Sequence, residues 1–221
     1  ATAGSTFGLA WHTHGGPAFA DEPPPVVEKV AVFSGGDPRY FQPAYESIKY
    51  LGVKRSRAGV MKRGDEAVMA VEVVYDPKKV SYKRLLGAYW RAIDPTNDLQ
   101  FEKAPEASAV IWTADESEAE AAKKSKELLE KSGLFKSKPL VTKSMPMAGW
   151  MFEPSADSEQ RWAALNNAAW EKGLEKSGRA AFFDKTYKPI TTTACNDGVC
   201  GYVYFPCSDE NGCNAVLRGS F

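Results

Sequence analysis

The first 194 residues of this 221-residue chain contain no cysteine; all four, Cys195, Cys200, Cys207 and Cys213, lie behind them. A thiol nucleophile is therefore excluded from everything but the C-terminal stretch. Histidine is as scarce. His12 and His14 are the only two, so nothing downstream could activate a serine such as Ser34 as an imidazole does. Excess charge of one sign is missing too: Lys plus Arg and Asp plus Glu each number 28. The formal net charge of zero provides no basic surface for phosphate contacts and argues against a nucleic-acid partner. No apolar run approaches the about 18 to 20 residues that a membrane-spanning helix needs.

What the chain does have is the material for one sizeable core, with 43% hydrophobic and 12% aromatic residues. The valine-rich run Val26 to Phe33, bounded by prolines and glycines, predicts a buried central strand. Phe41, Tyr45, Ile48 and Leu51 recur at helical spacing over 38–51, with Pro38 in the first turn and Gly52 at the end. Val53 to Met61 and Ala67 to Tyr75 predict a hairpin across Arg63-Gly64-Asp65. Tyr82, Leu85, Leu86, Tyr89, Trp90 and Ile93 mark a second core helix over 80–93, stopped by Asp94-Pro95. A fourth strand is expected over 107–112 and a charged helix over 115–132. Its lysines, from Lys123 on to Lys138, interleave with glutamates as a solvated face does. An extended segment over 140–152, irregular at Pro146, and a last helix over 158–176 complete the body.

Strand, helix, strand, strand, helix, strand is the order of a ferredoxin-like split βαβ domain, an α+β arrangement within the broad α/β class. Three regions follow: an N-terminal arm over 1–25, the domain over 26–178, and a cysteine-containing tail over 179–221 without clear periodicity. In the arm, Ala18-Phe19-Ala20 before the acidic, proline-rich Asp21-Glu22-Pro23-Pro24-Pro25 has the form of a small-x-small processing site of lumenal or exported proteins. The apolar stretch ahead of it is short and interrupted by His12-Thr13-His14, so an uncleaved arm lying on another surface is the expectation.

Three segments carry a family resemblance. Ala31-Val32-Phe33-Ser34-Gly35-Gly36-Asp37 resembles the A-x-F-x-G-G-C opening of the A-class peptide methionine sulfoxide reductases. Tyr45 stands where an aromatic of that family's first helix belongs. Ala70-Val71-Glu72-Val73-Val74-Tyr75-Asp76-Pro77, then Val80-Ser81-Tyr82 with Leu85-Leu86, then Tyr89-Trp90 and Asp94-Pro95-Thr96, closely resemble the family's A-V-x-V-x-Y-D-P, V-S-Y-x-x-L-L and D-P-T elements. Ser108-Ala109-Val110-Ile111 before the charged helix is a weaker third match. The likeness spans about residues 28 to 178.

It implies an α/β reductase fold in which a thiolate attacks the sulfoxide sulfur, a carboxyl hydrogen-bonds the departing oxygen and a resolving thiol closes a disulfide. The chain departs from the family at those positions. Asp37 occupies the place of the nucleophilic cysteine, and a carboxylate has no thiol-disulfide cycle. Pro38 and Arg39 replace the aromatic pair that cages the substrate methyl group. Gln42 replaces a glutamate and has no proton to give. The family's G-H-A-E becomes Glu66-Ala67-Val68-Met69, and its Y-R-S becomes Glu106-Ala107-Ser108.

Other readings of these residues are structural. An Asp after Gly-Gly and before Pro is most often a helix cap, although Asp37 could instead be a nucleophile or metal ligand. His12 and His14 would share one side of an extended arm and are the weak metal-ligand candidates. The tail cysteines suit disulfides, each adding about 2 to 3 kcal/mol, or an inherited redox relay. A zinc site lacks its paired C-x-x-C knuckles. Trp150, Phe152, Trp162 and Trp170 either line a groove or cover the core.

No cofactor is called for. The expectation is a catalytically inactive reductase-like protein, an accessory subunit docked by its arm and tail onto a larger, membrane-associated complex without spanning the membrane. The lumen-like arm and tail cysteines point to the plastid, in the thylakoid lumen beside a photosystem, or to another oxidising compartment. The competing expectation is a working reductase that uses a tail thiol, Cys195 or Cys200, folded over Asp37 and Gln42.

Overall fold

The computed structural model describes residues 27–135 and 138–187 in full, and 190–196, 199–204 and 216–218 as backbone. The body is built from β1 (Lys29–Ser34), α1 (Pro38–Glu46), β2 (Val53–Arg63), β3 (Glu66–Tyr75), α2 (Tyr82–Ala92), β4 (Val110–Thr113) and α3 (Glu116–Lys131). After these come β5 (Lys143–Pro146), β6 (Met151–Pro154), α4 (Trp162–Leu165), α5 (Asn167–Lys176) and α6 (Arg179–Thr186).

The six-stranded sheet runs β5-β4-β1-β3-β2-β6. Its inner four strands, β4-β1-β3-β2, are antiparallel throughout, as the split βαβ plan requires. β5 adds to the β4 edge in parallel and β6 to the β2 edge antiparallel. Successive side chains of β1 serve opposite faces. Ala31 and Phe33 join α1, α2 and α3 in the main core, while Val32 packs with Met61, Ala70, Val110 and Trp112 on the other face. Gly59 on β2 leaves the space that Phe152 of β6 needs; a Cβ there would lie 2.5 Å from its ring and 2.3 Å from Glu153 O.

The 38–51 helix ends early, at Glu46, and 49–51 form a 3-10 turn before Gly52, whose φ of 125° stops the run. Pro43 inside α1 removes one rung of the ladder. The helix expected over 158–176 is broken in three. Gln160 extends the β2 edge with its side chain, accepting from Ala58 N at 2.8 Å and donating to Ala58 O at 2.9 Å. Arg161 then takes a left-handed φ of 54°. These tertiary hydrogen bonds outweigh helical propensity there. At the start of the region that shows no clear periodicity, α6 packs on the body; Arg179 and Phe183 are its buried residues, and Tyr187, its C-cap, is also buried and donates Oη–H to Trp90 O at 2.6 Å.

Phe33 is the centre of the helix-covered core, with the rings of Tyr45, Tyr89 and Tyr82 at 5.3, 5.4 and 6.0 Å. Tyr89 Oη donates to Ser34 O at 2.8 Å, whereas the buried hydroxyls of Tyr45 and Tyr82 have no hydrogen-bond partner. Burial pushes the Tyr45 phenol well above its ordinary range, so it stays neutral. Removing an unsatisfied buried hydroxyl costs little. Tyr45→Phe is expected to leave stability unchanged or raise it by up to about 1 kcal/mol in urea unfolding; a loss above that would mean the hydroxyl has a partner.

α3 starts with a reciprocal cap: Asp115 Oδ1 accepts from Glu118 N at 2.8 Å and Glu118 Oε2 accepts from Ala114 N at 2.9 Å. Burial is the main cause that raises the Glu118 pKa, opposed by the Ala114 N–H, with nearby Asp115 adding to the rise. The folded pKa lies above the unfolded one, so this group's contribution is full below the unfolded value and is lost as pH rises through the folded value. Glu118→Gln, which keeps the acceptor, should abolish that fall in a stability-against-pH series. An unchanged pH slope would remove Glu118 as its source.

Candidate functional site

β1 delivers the chain to the site through Ser34-Gly35-Gly36. Ser34 Oγ is buried and accepts from Trp112 Nε1 at 2.8 Å, so this serine is a packing residue and not a nucleophile. A Cβ on Gly35 would lie 2.4 Å from Ile93 Cγ2, and Gly36 takes a φ of 84° that favours glycine. Together they let the backbone turn tightly beneath α2 and put Asp37 at the N-cap of α1.

The Asp37 carboxylate is fully engaged. Oδ1 accepts from Arg39 N at 2.9 Å as the helix cap, and both oxygens accept from Arg39 Nε, at 3.0 and 2.8 Å. Arg39 Nη2 completes the ion pair. The hydrogen bond that it donates to Asp37 is the main cause holding the Arg39 guanidinium above its ordinary pKa. Arg39 also lies 5.3 Å from the centre of the Trp162 ring, a cation–π contact between α1 and α4.

Gln42 is 2% exposed, one turn further along α1. Its Nε2 donates to Ser56 O at 3.2 Å and Ser56 Oγ at 3.3 Å, and its Oε1 accepts from Arg161 N at 3.3 Å. Ser56 Oγ donates in turn to Glu46, which also pairs with Lys49 at 2.6 Å. Both ends of the amide are occupied in tying α1 to β2 and to the strained Arg161. Pro38, the first residue of α1, is buried. The structure therefore brings Asp37, Pro38, Arg39 and Gln42 together as the sequence places them.

Sequence reasoning missed the opposite wall. Arg179 of α6 is only 4% exposed; its Nη2 donates to Gln100 O at 2.8 Å and pairs with Glu102 at 2.6 Å. The guanidinium lies over Tyr40 at 4.3 Å and Phe101 at 5.1 Å. Gln100 and Phe101 are both left-handed, with φ of 48° and 71°. Gln100 holds this shape by donating to Asp94 O and accepting from Asp94 N. A Cβ on Gly36 would lie 2.9 Å from Gln100 Cβ and 3.4 Å from Arg179 Nη2, so this wall closes directly on the glycine turn. The only sequence signal was the four-residue spacing of Arg179, Phe183 and Tyr187.

Other candidates fall elsewhere. Trp150 and Phe152 cover the second face of the sheet with Trp112, whereas Trp162 meets Arg39 of α1. Met69, where the G-H-A-E glutamate would stand, is opposite Val60 on β3 and has no acid function. Among the described residues no group of three or more His, Cys, Asp or Glu could hold a metal ion, and no helix is long and apolar enough to cross a membrane. His12, His14, Cys207 and Cys213 lie outside the described residues; Cys195 and Cys200 are described as backbone only.

The family profile described as peptide methionine sulfoxide reductase matches residues 21–190. The MsrA reductase of Halalkalibacterium halodurans is 34% identical over 167 residues, 75% of this chain and 85% of that one. The chain belongs to the peptide methionine sulfoxide reductase A family. The Listeria innocua MsrA is 36% identical over 121 residues, 54% of this chain and 67% of that protein. Mxr1 of Saccharomyces cerevisiae in its reduced form shares the fold, with a TM-score of 0.53 at 15% identity, covering 68% of this chain and 91% of that one. The matched residues extend through α6, the helix that carries Arg179.

Within this reductase-family body, Asp37 acts as a cap and ion-pair partner. Asp37→Ala loses both and should cost about 1 to 2 kcal/mol, whereas Asp37→Asn keeps the acceptor and should cost less. Equal stability of the three proteins in urea unfolding would show that the cap contributes nothing.

Proposed function

We propose that this family member no longer reduces methionine sulfoxide and serves as an accessory, structural subunit of a larger assembly. The observation that carries the reading is Asp37 itself. It stands at the cysteine position with every carboxylate oxygen held by its own helix and by Arg39. Sulfoxide reduction needs a thiol that bonds to the sulfoxide sulfur and is then attacked by a second thiol, so that two thiols become a disulfide and the sulfoxide oxygen departs as water. A carboxylate does none of these, and no cysteine precedes Cys195. Gln42 is sealed between β2 and Arg161, with no proton to supply to a departing oxygen.

Loss of chemistry with retention of the fold supports a role carried by surfaces rather than by a pocket. α6 is spent on the body's own packing, so docking falls to the arm over 1–25 and to the chain beyond α6. The compartment in this proposal is the plastid lumen, with a photosynthetic complex as the assembly. Its support is the Ala18-Phe19-Ala20 segment and the clustering of cysteines in the tail.

Incubated with an oxidised-methionine peptide and dithiothreitol, the full chain should give no turnover above the buffer, and removing the residues after 187 should change nothing. Tail-dependent turnover would overturn the proposal in favour of a reductase that uses Cys195 or Cys200. In native extract the chain should migrate with a large complex; a freely diffusing monomer would sink the subunit role.

A further inference from the structure

Beyond α6 the chain forms a second, three-stranded sheet in the order β7-β8-β9, from β7 (Ile190–Asn196), β8 (Val199–Tyr204) and β9 (Val216–Arg218). β7 and β8 are antiparallel with Thr193 opposite Tyr202, Ala194 opposite Gly201, Cys195 opposite Cys200 and Asn196 opposite Val199. The register of β8 is held on its other side by β9, through Tyr202, Val203 and Tyr204. Two residues, Asp197 and Gly198, separate the last pair, and Asp-Gly is the sequence that two-residue hairpin connections favour.

That register decides the kind of pair the cysteines make. In an antiparallel ladder, hydrogen-bonded and non-hydrogen-bonded pairs alternate. The pair flanking a two-residue connection is hydrogen-bonded, so the next one out, Cys195 with Cys200, is non-hydrogen-bonded. Such pairs have their Cα atoms about 4.5 Å apart, within the roughly 4.4 to 6.8 Å that a disulfide spans. We propose that Cys195 and Cys200, directly opposed on β7 and β8, form a disulfide across the hairpin. Of the three pairings open to four cysteines, this leaves Cys207 and Cys213 for each other wherever all four are bridged. The inference is independent of the accessory-subunit reading.

The chemistry needs a disulfide oxidant, such as glutathione disulfide. One thiolate attacks it to form a mixed disulfide and releases one glutathione. The second thiolate then attacks the protein sulfur of that bond and releases the other. Two protein thiols lose two protons and two electrons, and the small disulfide gains them.

The full chain, reduced and then equilibrated with glutathione disulfide, is denatured, alkylated and cut after Tyr204 without reduction. That cut puts Cys195 and Cys200 in one fragment and Cys207 and Cys213 in another. The expected result is two separate fragments, with Cys195 and Cys200 both unlabelled. A further cut before Asp197 should then yield two peptides joined by a reducible bond. Cys195→Ser should expose Cys200 to one alkylation tag and leave the labelling of Cys207 and Cys213 unchanged. Fragments that remain linked across Tyr204, or full labelling of Cys195 and Cys200 in the oxidised wild-type chain, would overturn the proposal.

Discussion

The structure depends on how tightly β1 can end. Its last residues must pass beneath Ile93, with no room for a side chain at Gly35, and turn left-handed at Gly36 against Gln100. Only then does α1 begin where its N-terminus faces outward from the strand end. The same constraint recruits partners from far along the chain: Tyr89 of α2 secures the Ser34 carbonyl, Trp112 of β4 secures the Ser34 hydroxyl, and Arg179 of α6 backs the turn. Three separate elements thus approach this turn, and packing losses at any of them would be felt there.

The position that this turn creates is electrostatically suited to an anion. Unpaired backbone N–H groups and the helix dipole favour negative charge at a helix N-terminus. A cysteine there is pushed toward its thiolate, which is what a nucleophile requires. An aspartate is favoured by the same field and adds a capping hydrogen bond, so Asp37 sits at this position without straining the scaffold. Arg39 then neutralises the charge locally and ties α1 to Trp162. A site that activates a thiol and a site that caps a helix differ here by one side chain.

The inner four strands, the hairpin at Gly64 and the first three helices were legible because each follows local pattern: alternating or continuous apolar strands, helical spacing of aromatics, and glycine or proline stops. Asp37, Pro38, Arg39 and Gln42 lie on consecutive turns of one capped helix, so chain order alone brings them side by side. What failed was whatever long-range hydrogen bonding decides. The break at Arg161 is set by Gln160 and Gln42, partners up to 119 residues away, and no propensity at 158–176 announces it. Arg179 was hidden by composition: its helix sits where the chain turns to threonine, glycine and cysteine, and its partners Gln100 and Glu102 lie in an irregular loop.

Gln42 and Arg179 are both held by hydrogen bonds within the body. Each is a polar side chain almost wholly removed from water, and each is tolerable only because its hydrogen-bonding groups are matched, by Ser56 and the Arg161 backbone in one case and by Gln100 and Glu102 in the other. Breaking either set would leave a buried donor or charge unpaired, which is costly. Arg39, in turn, is held to the Asp37 carboxylate by three side-chain hydrogen bonds. Gln42 and Arg179 find their partners within the chain, whereas in the aromatic core around Phe33 the buried hydroxyls of Tyr45 and Tyr82 have none.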